Sequence, residues 1–412
     1  MSRTIAMSTN KILSEIKSKK ILYISLGYIL LLGLSLFLTG YFWQEKATRL
    51  QTLYYLLVVT PVLLTIITQI KRYDFNLLFI LAFSLIVYYA ASVLWSDMLS
   101  SDTVFRQVKK VILLLSLFFS VSYVGKQFSD YDNKILHVIL FFATSLALYN
   151  IYDLITTVGI SSRIGGWGVL DNANTAAEVF GVLFLFAFMQ FLKSDQKPKI
   201  LIYLLISTII FIEMILNKSR GQQLALFVGI LLVIYFSPRQ NLKRLIPILL
   251  LGVVSLGFIL YSTDIIETIF NRNLRFDCRT AIWQELMTTA MQSPIFGRGA
   301  GASPGYEVYC SNQTSLYYHA HSVYMNTFLH TGLVGVVLGL SLTGYAVIKA
   351  FNSTNKNDVF WGIVIIYGFI ALLPNGDSLV PRPNEVWMLF WIPVAFIASR
   401  ASINQQKELS PS

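Results

Sequence analysis

Long apolar runs, of eighteen residues or more, recur along the whole chain, and the charged residues gather in short clusters between them. A run of this length matches the hydrocarbon core of a bilayer when it forms an α-helix, which satisfies its own backbone hydrogen bonds. Only 13% of the residues are charged, against about 25% in soluble domains. The sequence therefore predicts an all-α integral membrane protein.

Twelve transmembrane helices are predicted from these runs. The first run, Ile21 to Leu38, is too long for the apolar core of a cleaved signal peptide, so we expect a retained helix. We expect a single polytopic membrane domain over residues 1–412, with one large external loop at 263–321. The helices are placed at residues 21–39, 52–70, 75–95, 107–124, 135–157, 173–192, 199–216, 220–236, 244–262, 322–350, 357–374 and 385–400.

Lysine and arginine favour the cytoplasmic side of a membrane protein, so their distribution predicts its orientation. With the N-terminus inside, 19 of the 32 cationic residues fall on the cytoplasmic side and 13 on the other side. Both termini are therefore predicted to be cytoplasmic, and the loop at 263–321 is predicted to lie outside.

The external cations are mostly arginine: nine of the 13 outside, but only five of the 19 inside. Arginine presents a planar fork of donors that binds phosphate oxygens in pairs. The external face is therefore expected to hold a phosphate-bearing ligand, unless these arginines only pair with nearby acidic residues such as Glu267 and Glu285. The nine are Arg49, Arg106, Arg163, Arg220, Arg272, Arg275, Arg279, Arg298 and Arg382.

Two of the external cations, Lys218 and Arg220, stand at the mouth of the eighth predicted helix. A cation partly buried there is costly unless an anion meets it, which indicates a binding function. Gly221 would let a ligand approach the backbone closely, and Glu213 is the nearest candidate for an internal partner. The alternative is a pair of side chains that only extend to the membrane interface.

A short amphipathic helix is predicted within the external loop, because apolar residues recur at helical spacing from Arg279 to Met291. We expect it to lie on the outer membrane face, with Trp283 as an interfacial anchor. Arg275 and Arg279 are four residues apart and would share one face if the helix begins early enough.

The segment after this helix, "FGRGAGASPG", holds four glycines within nine residues. It is predicted to be a flexible turn. It lacks the Lys-Ser/Thr ending of a phosphate-binding P-loop, so the pattern does not indicate nucleotide binding.

Three of the four histidines, His319, His321 and His330, lie within twelve residues at the start of the tenth predicted helix. A metal site could use His-x-His but needs further ligands of suitable geometry. A structural role at the interface is a second interpretation. The third, which we favour, is a general base, because histidine accepts a proton near neutral pH with little tuning.

Both cysteines, Cys278 and Cys310, fall in the external loop. An oxidising compartment would allow them to form a disulfide, and two free thiols are the alternative. A bridge there would contribute roughly 3–4 kcal/mol by closing the intervening loop.

Three blocks together resemble the O-antigen ligase and polymerase superfamily of bacterial membrane glycosyltransferases. The blocks are Ser219-Arg220-Gly221, then Arg279 with Trp283 and the "PIFGRGAG" turn, then His321 with Gly332 eleven residues later. The third block usually reads His-Asn in that family, and here Ser322 stands in the place of the asparagine.

The resemblance implies a GT-C-like fold in the bacterial inner membrane, a periplasmic active site, and a glycan donor linked to undecaprenyl diphosphate. Ligases of this superfamily pass the glycan to lipid A-core without a metal ion or other cofactor, and polymerases extend the glycan itself. The ending Asn375 to Pro393 favours a ligase. A transporter or flippase of a lipid-linked anion is the competing class, and no nucleic-acid partner is expected.

The resemblance also implies roles for individual residues. His321 would act as the general base, and Arg220 and Arg279 would bind the donor diphosphate. The residues expected to assist them are Lys218, Arg275, Arg163 and His319.

Overall fold

The computed structural model describes residues 2–69, 73, 75–159, 163–245, 274–301, 305–310, 313–317 and 320–409. A short antiparallel hairpin pairs β1 (Tyr306–Cys310) with β2 (Gln313–Tyr317), and the remaining regular structure is helical. The helices are α1 (Ser2–Thr39), α2 (Ala47–Tyr54), α3 (Thr60–Gln69), α4 (Leu77–Ala91), α5 (Ser101–Gly125), α6 (Tyr131–Asp153), α7 (Ala173–Lys193), α8 (Lys197–Leu216), α9 (Arg220–Tyr235), α10 (Leu274–Ala290), α11 (Val323–Phe351), α12 (Lys356–Ala371) and α13 (Ile392–Leu409).

Eight helices in the described part of the chain are long and apolar enough to cross a membrane. The prediction of a helical, multi-pass membrane protein is thereby confirmed. The ninth predicted helix, at 244–262, lies almost entirely outside the described residues, so the total of twelve stays a prediction. The eight span Ile21–Phe42, Ala47–Thr68, Leu77–Trp95, Ser101–Gly125, Tyr131–Thr157, Ala173–Lys193, Lys197–Leu216 and Val323–Phe351.

Helix α7 is the most enclosed of these spans, with 89% of its apolar window buried. Its sequence explains this position, because "FGVLFLFAFMQFL" is apolar on every side and so leaves no polar face for solvent. It packs against α6, α8, α9 and α12. The helices around it expose apolar side chains on their outer surfaces, as lipid-facing helices do.

The two ends of the bundle differ in chemistry. We call the end at which α9 and α11 begin the site end, and the end at which α6 and α12 begin the opposite end. At the opposite end Arg400 forms buried ion pairs with Asp132 (2.7 Å) and Asp358, and Trp361 donates a hydrogen bond of 3.0 Å to Asp132. These bonds join α6, α12 and α13, and removing one partner would leave a buried charge uncompensated.

The loop predicted to be external contains, in its described residues, more regular structure than the sequence predicts. Helix α10 is present and begins at Leu274, five residues before the predicted start, so Arg275 and Arg279 both lie within it. The hairpin of β1 and β2, in which Val308 pairs with Ser315, is a β element that the all-α prediction did not include.

Candidate active site

The segment between α8 and α9 is held in place by Arg163. Its Nε donates to the backbone oxygen of Asn217 (2.7 Å), and its Nη2 donates to the hydroxyl of Ser219. Arg163 and the block beginning at Ser219, distant in sequence, are thus neighbours at the site end. The contacts of Arg163 orient the segment that directly precedes Arg220. The side chain of Arg220 is exposed.

Glu213 is not the internal ion-pair partner that the sequence suggested for Lys218 and Arg220. It is buried in α8, where one carboxylate oxygen accepts a hydrogen bond from Asn150 at 3.1 Å. Among the described residues, the other carboxylate oxygen has no hydrogen-bond partner. Since α8 directs this side chain towards α6, the cations at the site end do not depend on it for charge compensation.

Helix α10 does not rest on lipid as predicted. Its apolar face packs against α11 and the hairpin, with Ile282 and Leu286 at 1% and 0% exposure. The indole nitrogen of Trp283 donates a hydrogen bond of 2.8 Å to the backbone oxygen of Ala320, and its role as an interfacial anchor stays a prediction. The helix therefore presents the half-buried Arg279 from a fixed position beside the segment that leads into His321.

The glycine-rich turn packs closely against α11 in its described part, residues 296–301, and its flexibility stays a prediction. Helix α11 is interrupted at Gly332, whose backbone (φ 59°, ψ −159°) is not helical. The turn fills this break: the amide of Arg298 donates to Leu329 (2.8 Å), and the amide of Gly299 donates to His330 (2.9 Å). The glycines serve close backbone approach, because a Cβ on Gly332 would lie 2.3 Å from the oxygen of Ile295.

His321 lies directly before Ser322, which caps the N-terminus of α11. It is exposed and has a φ of 49°, in the left-handed region that non-glycine residues seldom occupy. Lys218 has the equivalent position and conformation (φ 56°), directly before Ser219 and the start of α9. Both residues therefore stand at helix N-termini, where backbone amides and the helix dipole favour an anion.

His330, by contrast, is enclosed by protein. Its Nδ1 is hydrogen-bonded to the hydroxyl of Tyr89 at 2.8 Å, and Ser378 in turn donates to that hydroxyl at 2.9 Å. Only 8% of the residue is exposed. This contact lies within the bundle, as expected for a histidine inside the tenth predicted helix.

The loop at 374–377 contacts the N-terminus of α9 on one side and the N-terminus of α11 on the other. The sequence patterns gave no sign of this role. The amide of Val323 donates to the oxygen of Asn375 (3.2 Å), and Asn326 donates to the carboxylate of Asp377 (2.9 Å). On the other side Pro374 lies against Gly221, where a Cβ would be 2.8 Å from the proline ring. The start of α9 and the start of α11 thus share one short loop.

Glu178 fixes this loop from inside the bundle. One oxygen of its buried carboxyl group accepts hydrogen bonds from Gln222 on α9 (3.0 Å) and from Asn375 (2.8 Å). Gln222 lies two residues after Arg220, so this carboxyl group joins α7, the arginine helix and the connecting loop. A sequence signal existed in the single acidic residue within the apolar run of α7.

Acidic neighbours account for some of the arginines that are predicted to be external. Arg49 pairs with Glu45 at 3.0 Å, and Arg298 forms an ion pair with Asp97. For these two the simpler interpretation, pairing with a nearby carboxylate, is correct. His319 and the side chains of Arg275, Cys278 and Cys310 lie outside the described part of the structure, so their predicted roles remain predictions.

The sequence of this chain is similar to that of known proteins. A family model described as O-antigen ligase matches residues 201–340. A protein named O-antigen ligase from Pseudomonas aeruginosa is 25% identical over 386 residues, which cover 90% of this chain and 90% of that protein. Both matches support a relation of this chain to the O-antigen ligase family. The region that the family model matches holds Arg220, Arg279 and His321, whereas the connecting loop at 374–377 lies beyond it.

Proposed function

We propose that this protein is an O-antigen ligase that transfers a glycan from undecaprenyl diphosphate to lipid A-core on the periplasmic face of the bacterial inner membrane. The observation that carries the proposal is the shared loop at 374–377, which brings the helix of Arg220 and the helix that follows His321 together. The donor's charged group and the acceptor's hydroxyl must meet at one place, and two helix N-termini joined by one loop meet that requirement.

In the proposed reaction, His321 accepts the proton of an acceptor sugar hydroxyl. The oxygen then forms a bond to the anomeric carbon of the donor while the bond from that carbon to the diphosphate breaks. A single displacement inverts the anomeric configuration, and undecaprenyl diphosphate leaves with the electron pair. The exposed position of His321 allows a bulky hydroxyl-bearing acceptor to approach it.

Arg220 and Arg279 are assigned to the diphosphate. Their guanidinium groups would bind its oxygens in pairs and stabilise the negative charge that develops as the bond breaks. Lys218 and Arg275 would add positive charge, and Arg163 would act through the Asn217–Ser219 segment that it orients. His319 would be a neighbour of the base, and the arginines would supply the electrostatic work that a metal ion performs elsewhere.

The direct test supplies the purified protein in nanodiscs with a lipid-linked oligosaccharide and two acceptors together, lipid A-core and a second glycan lipid. We expect the oligosaccharide on lipid A-core, detected by mass spectrometry, with an inverted linkage by NMR. Reactions without donor are the control. Elongation of the second glycan in place of lipid A-core would contradict the ligase proposal and indicate a polymerase, and movement of the donor across the bilayer without transfer would indicate a flippase.

A further inference from the structure

The hairpin of β1 and β2 has two faces of different chemistry. Because side chains alternate along a strand and directly opposed residues share a face, the register assigns each residue to one side. Val308 is 4% exposed and faces the protein, in one apolar cluster with Ile282 of α10 and Ala320. We call the other side the open face. Its residues are Glu307 opposite Leu316 and Tyr309 opposite Thr314.

The open face is accessible, and its polar groups are not used by the fold. Tyr309 is 69% exposed and Leu316 is 49% exposed, and Glu307 and Thr314 are exposed as well. Within the described chain, the side chains of Glu307, Tyr309 and Thr314 form no hydrogen bond or ion pair. An aromatic ring, a carboxylate and a hydroxyl therefore lie side by side and are available to a ligand.

This combination of groups suits a carbohydrate. A sugar ring has C–H groups on its faces, which pack on an aromatic ring, and hydroxyls around its edge, which donate to a carboxylate. Tyrosine supplies a rigid amphipathic surface at low entropic cost, and an ionised carboxylate accepts several hydrogen bonds. The four side chains are about 7 Å apart along a strand and about 5 Å apart across the pair, which is the scale of one sugar ring.

The open face is held close to the candidate active site. Val308, at the centre of β1, shares its apolar cluster with Ala320, which directly precedes His321. Helix α10, which carries Arg279, packs against β1. Leu316 lies five residues before His321, a separation of at most about 18 Å along an extended chain. A glycan that extends from a sugar at His321 can therefore reach the open face.

We propose that the open face binds a sugar of the donor glycan beyond the one attached to the diphosphate, with its ring stacked on Tyr309 and its hydroxyls donating to Glu307. The proposal rests on the proposed function, because it takes a glycan linked to undecaprenyl diphosphate as the donor. The donor is favoured over the acceptor because the hairpin packs on α10, whose Arg279 is assigned to the diphosphate. One structural unit would then hold the donor at two points, on either side of the reacting carbon.

The test measures binding, in nanodiscs, of two undecaprenyl-diphosphate-linked donors, one with a single sugar and one with an oligosaccharide. The wild type should bind the oligosaccharide donor more tightly. Tyr309→Ala should weaken binding of that donor about tenfold and leave the single-sugar donor unchanged, and Glu307→Ala should act with the same selectivity. Tyr309→Phe keeps the ring and should retain most of the affinity. Tyr152→Ala, at a tyrosine 65% exposed on α6, is the matched control and should change neither.

Three outcomes would overturn the proposal: equal affinity of the wild type for the two donors, loss of the single-sugar donor in Tyr309→Ala, or weaker binding of lipid A-core alone, which would assign the open face to the acceptor. Because Glu307 is exposed, Glu307→Ala keeps the test valid should Tyr309→Ala fail to fold.

The test also separates this proposal from the proposed function. Selective loss of the oligosaccharide donor in the two alanine variants, with no glycan transfer to lipid A-core by the wild type, would support the open face and refute the ligase. Transfer to lipid A-core with an unchanged KM for the oligosaccharide donor in both variants would refute only the open face.

Discussion

Trp283 donates a hydrogen bond of 2.8 Å from its indole nitrogen to the backbone oxygen of Ala320, the residue directly before His321. This bond connects α10, which carries Arg279, to the segment that carries the candidate base. Two blocks that are separate in sequence are thereby held at a fixed spacing. The proposed reaction depends on that spacing, because the diphosphate and the attacking hydroxyl must reach one anomeric carbon.

Replacing Trp283 with Phe keeps an aromatic ring but removes the N–H that Ala320 accepts. We expect a loss of about 1 kcal/mol in stability and a fall in transfer of roughly tenfold, since small misplacements of catalytic groups are costly. Thermal unfolding and initial rates of transfer would measure the two effects. Trp43→Phe, which removes a bond to Thr39 (3.3 Å), is the control, and equal losses of transfer in both variants would contradict this account.

Arg220→Lys and Arg279→Lys should keep the fold and impair transfer. A point charge cannot reproduce paired contacts with phosphate oxygens, so each change should cost on the order of 1–3 kcal/mol of transition-state stabilisation. The ratio kcat/KM at unchanged expression gives this energy. Arg49→Lys keeps the charge of an arginine paired with Glu45 and should have no effect. Wild-type turnover in both variants, Arg220→Lys and Arg279→Lys, would contradict the assignment of these arginines to the diphosphate.

Gly332→Ala should destabilise the protein by about 1–3 kcal/mol, since its left-handed backbone and the nearby oxygen of Ile295 (2.3 Å from an added Cβ) both oppose a side chain. Displacement of the glycine-rich turn should also reduce transfer. Gly344→Ala on the same helix meets nothing within 4 Å, and should be neutral or stabilising by about 0.5–1 kcal/mol. Melting curves that rank the two variants in the reverse order would show that the turn does not depend on the break at Gly332.

Transfer should persist in EDTA. The described residues contain no group of three His, Cys, Asp or Glu side chains placed to hold a metal ion, and the arginines can stabilise the leaving diphosphate. Activity would be measured after chelation and again after adding back Mg²⁺ or Mn²⁺. If chelation abolishes transfer and a divalent ion restores it, the metal-free mechanism is wrong and His319 with His321 must be reconsidered as ligands.

The sequence predicted the membrane class and the helix of Arg279 because both depend on local periodicity, which a single chain displays directly. It misjudged the partners of that helix, because an apolar face packs equally well on lipid or on protein and only the tertiary fold decides between them. Ile282 and Leu286 illustrate this, since both are buried against protein.

Long-range contacts were beyond prediction for the same reason. The glycines around Arg298 looked flexible because glycine permits many conformations, yet here they permit close packing against the break at Gly332. The contacts of Pro374 with Gly221 and of Asn375 with Val323 join parts of the chain far apart in sequence, and no local pattern encodes them.

The measurement that tests the central claim most directly is donor binding and glycan transfer in His321→Ala. We expect the variant to fold and to bind the lipid-linked donor as the wild type does, because the arginines hold the diphosphate. Transfer should fall about 10²–10⁴-fold, the usual contribution of a positioned base. His137→Ala, at a histidine bonded to Tyr203 away from the site, is the control.

The other two histidines complete the measurement. His319→Ala should lower transfer less than His321→Ala does, and His330→Ala, a change at the residue bonded to Tyr89, should lower it least. Loss of transfer in His321→Ala with intact donor binding is the result that this account predicts. Full transfer in His321→Ala would contradict it, and a simultaneous loss in His319→Ala would assign the base to that histidine.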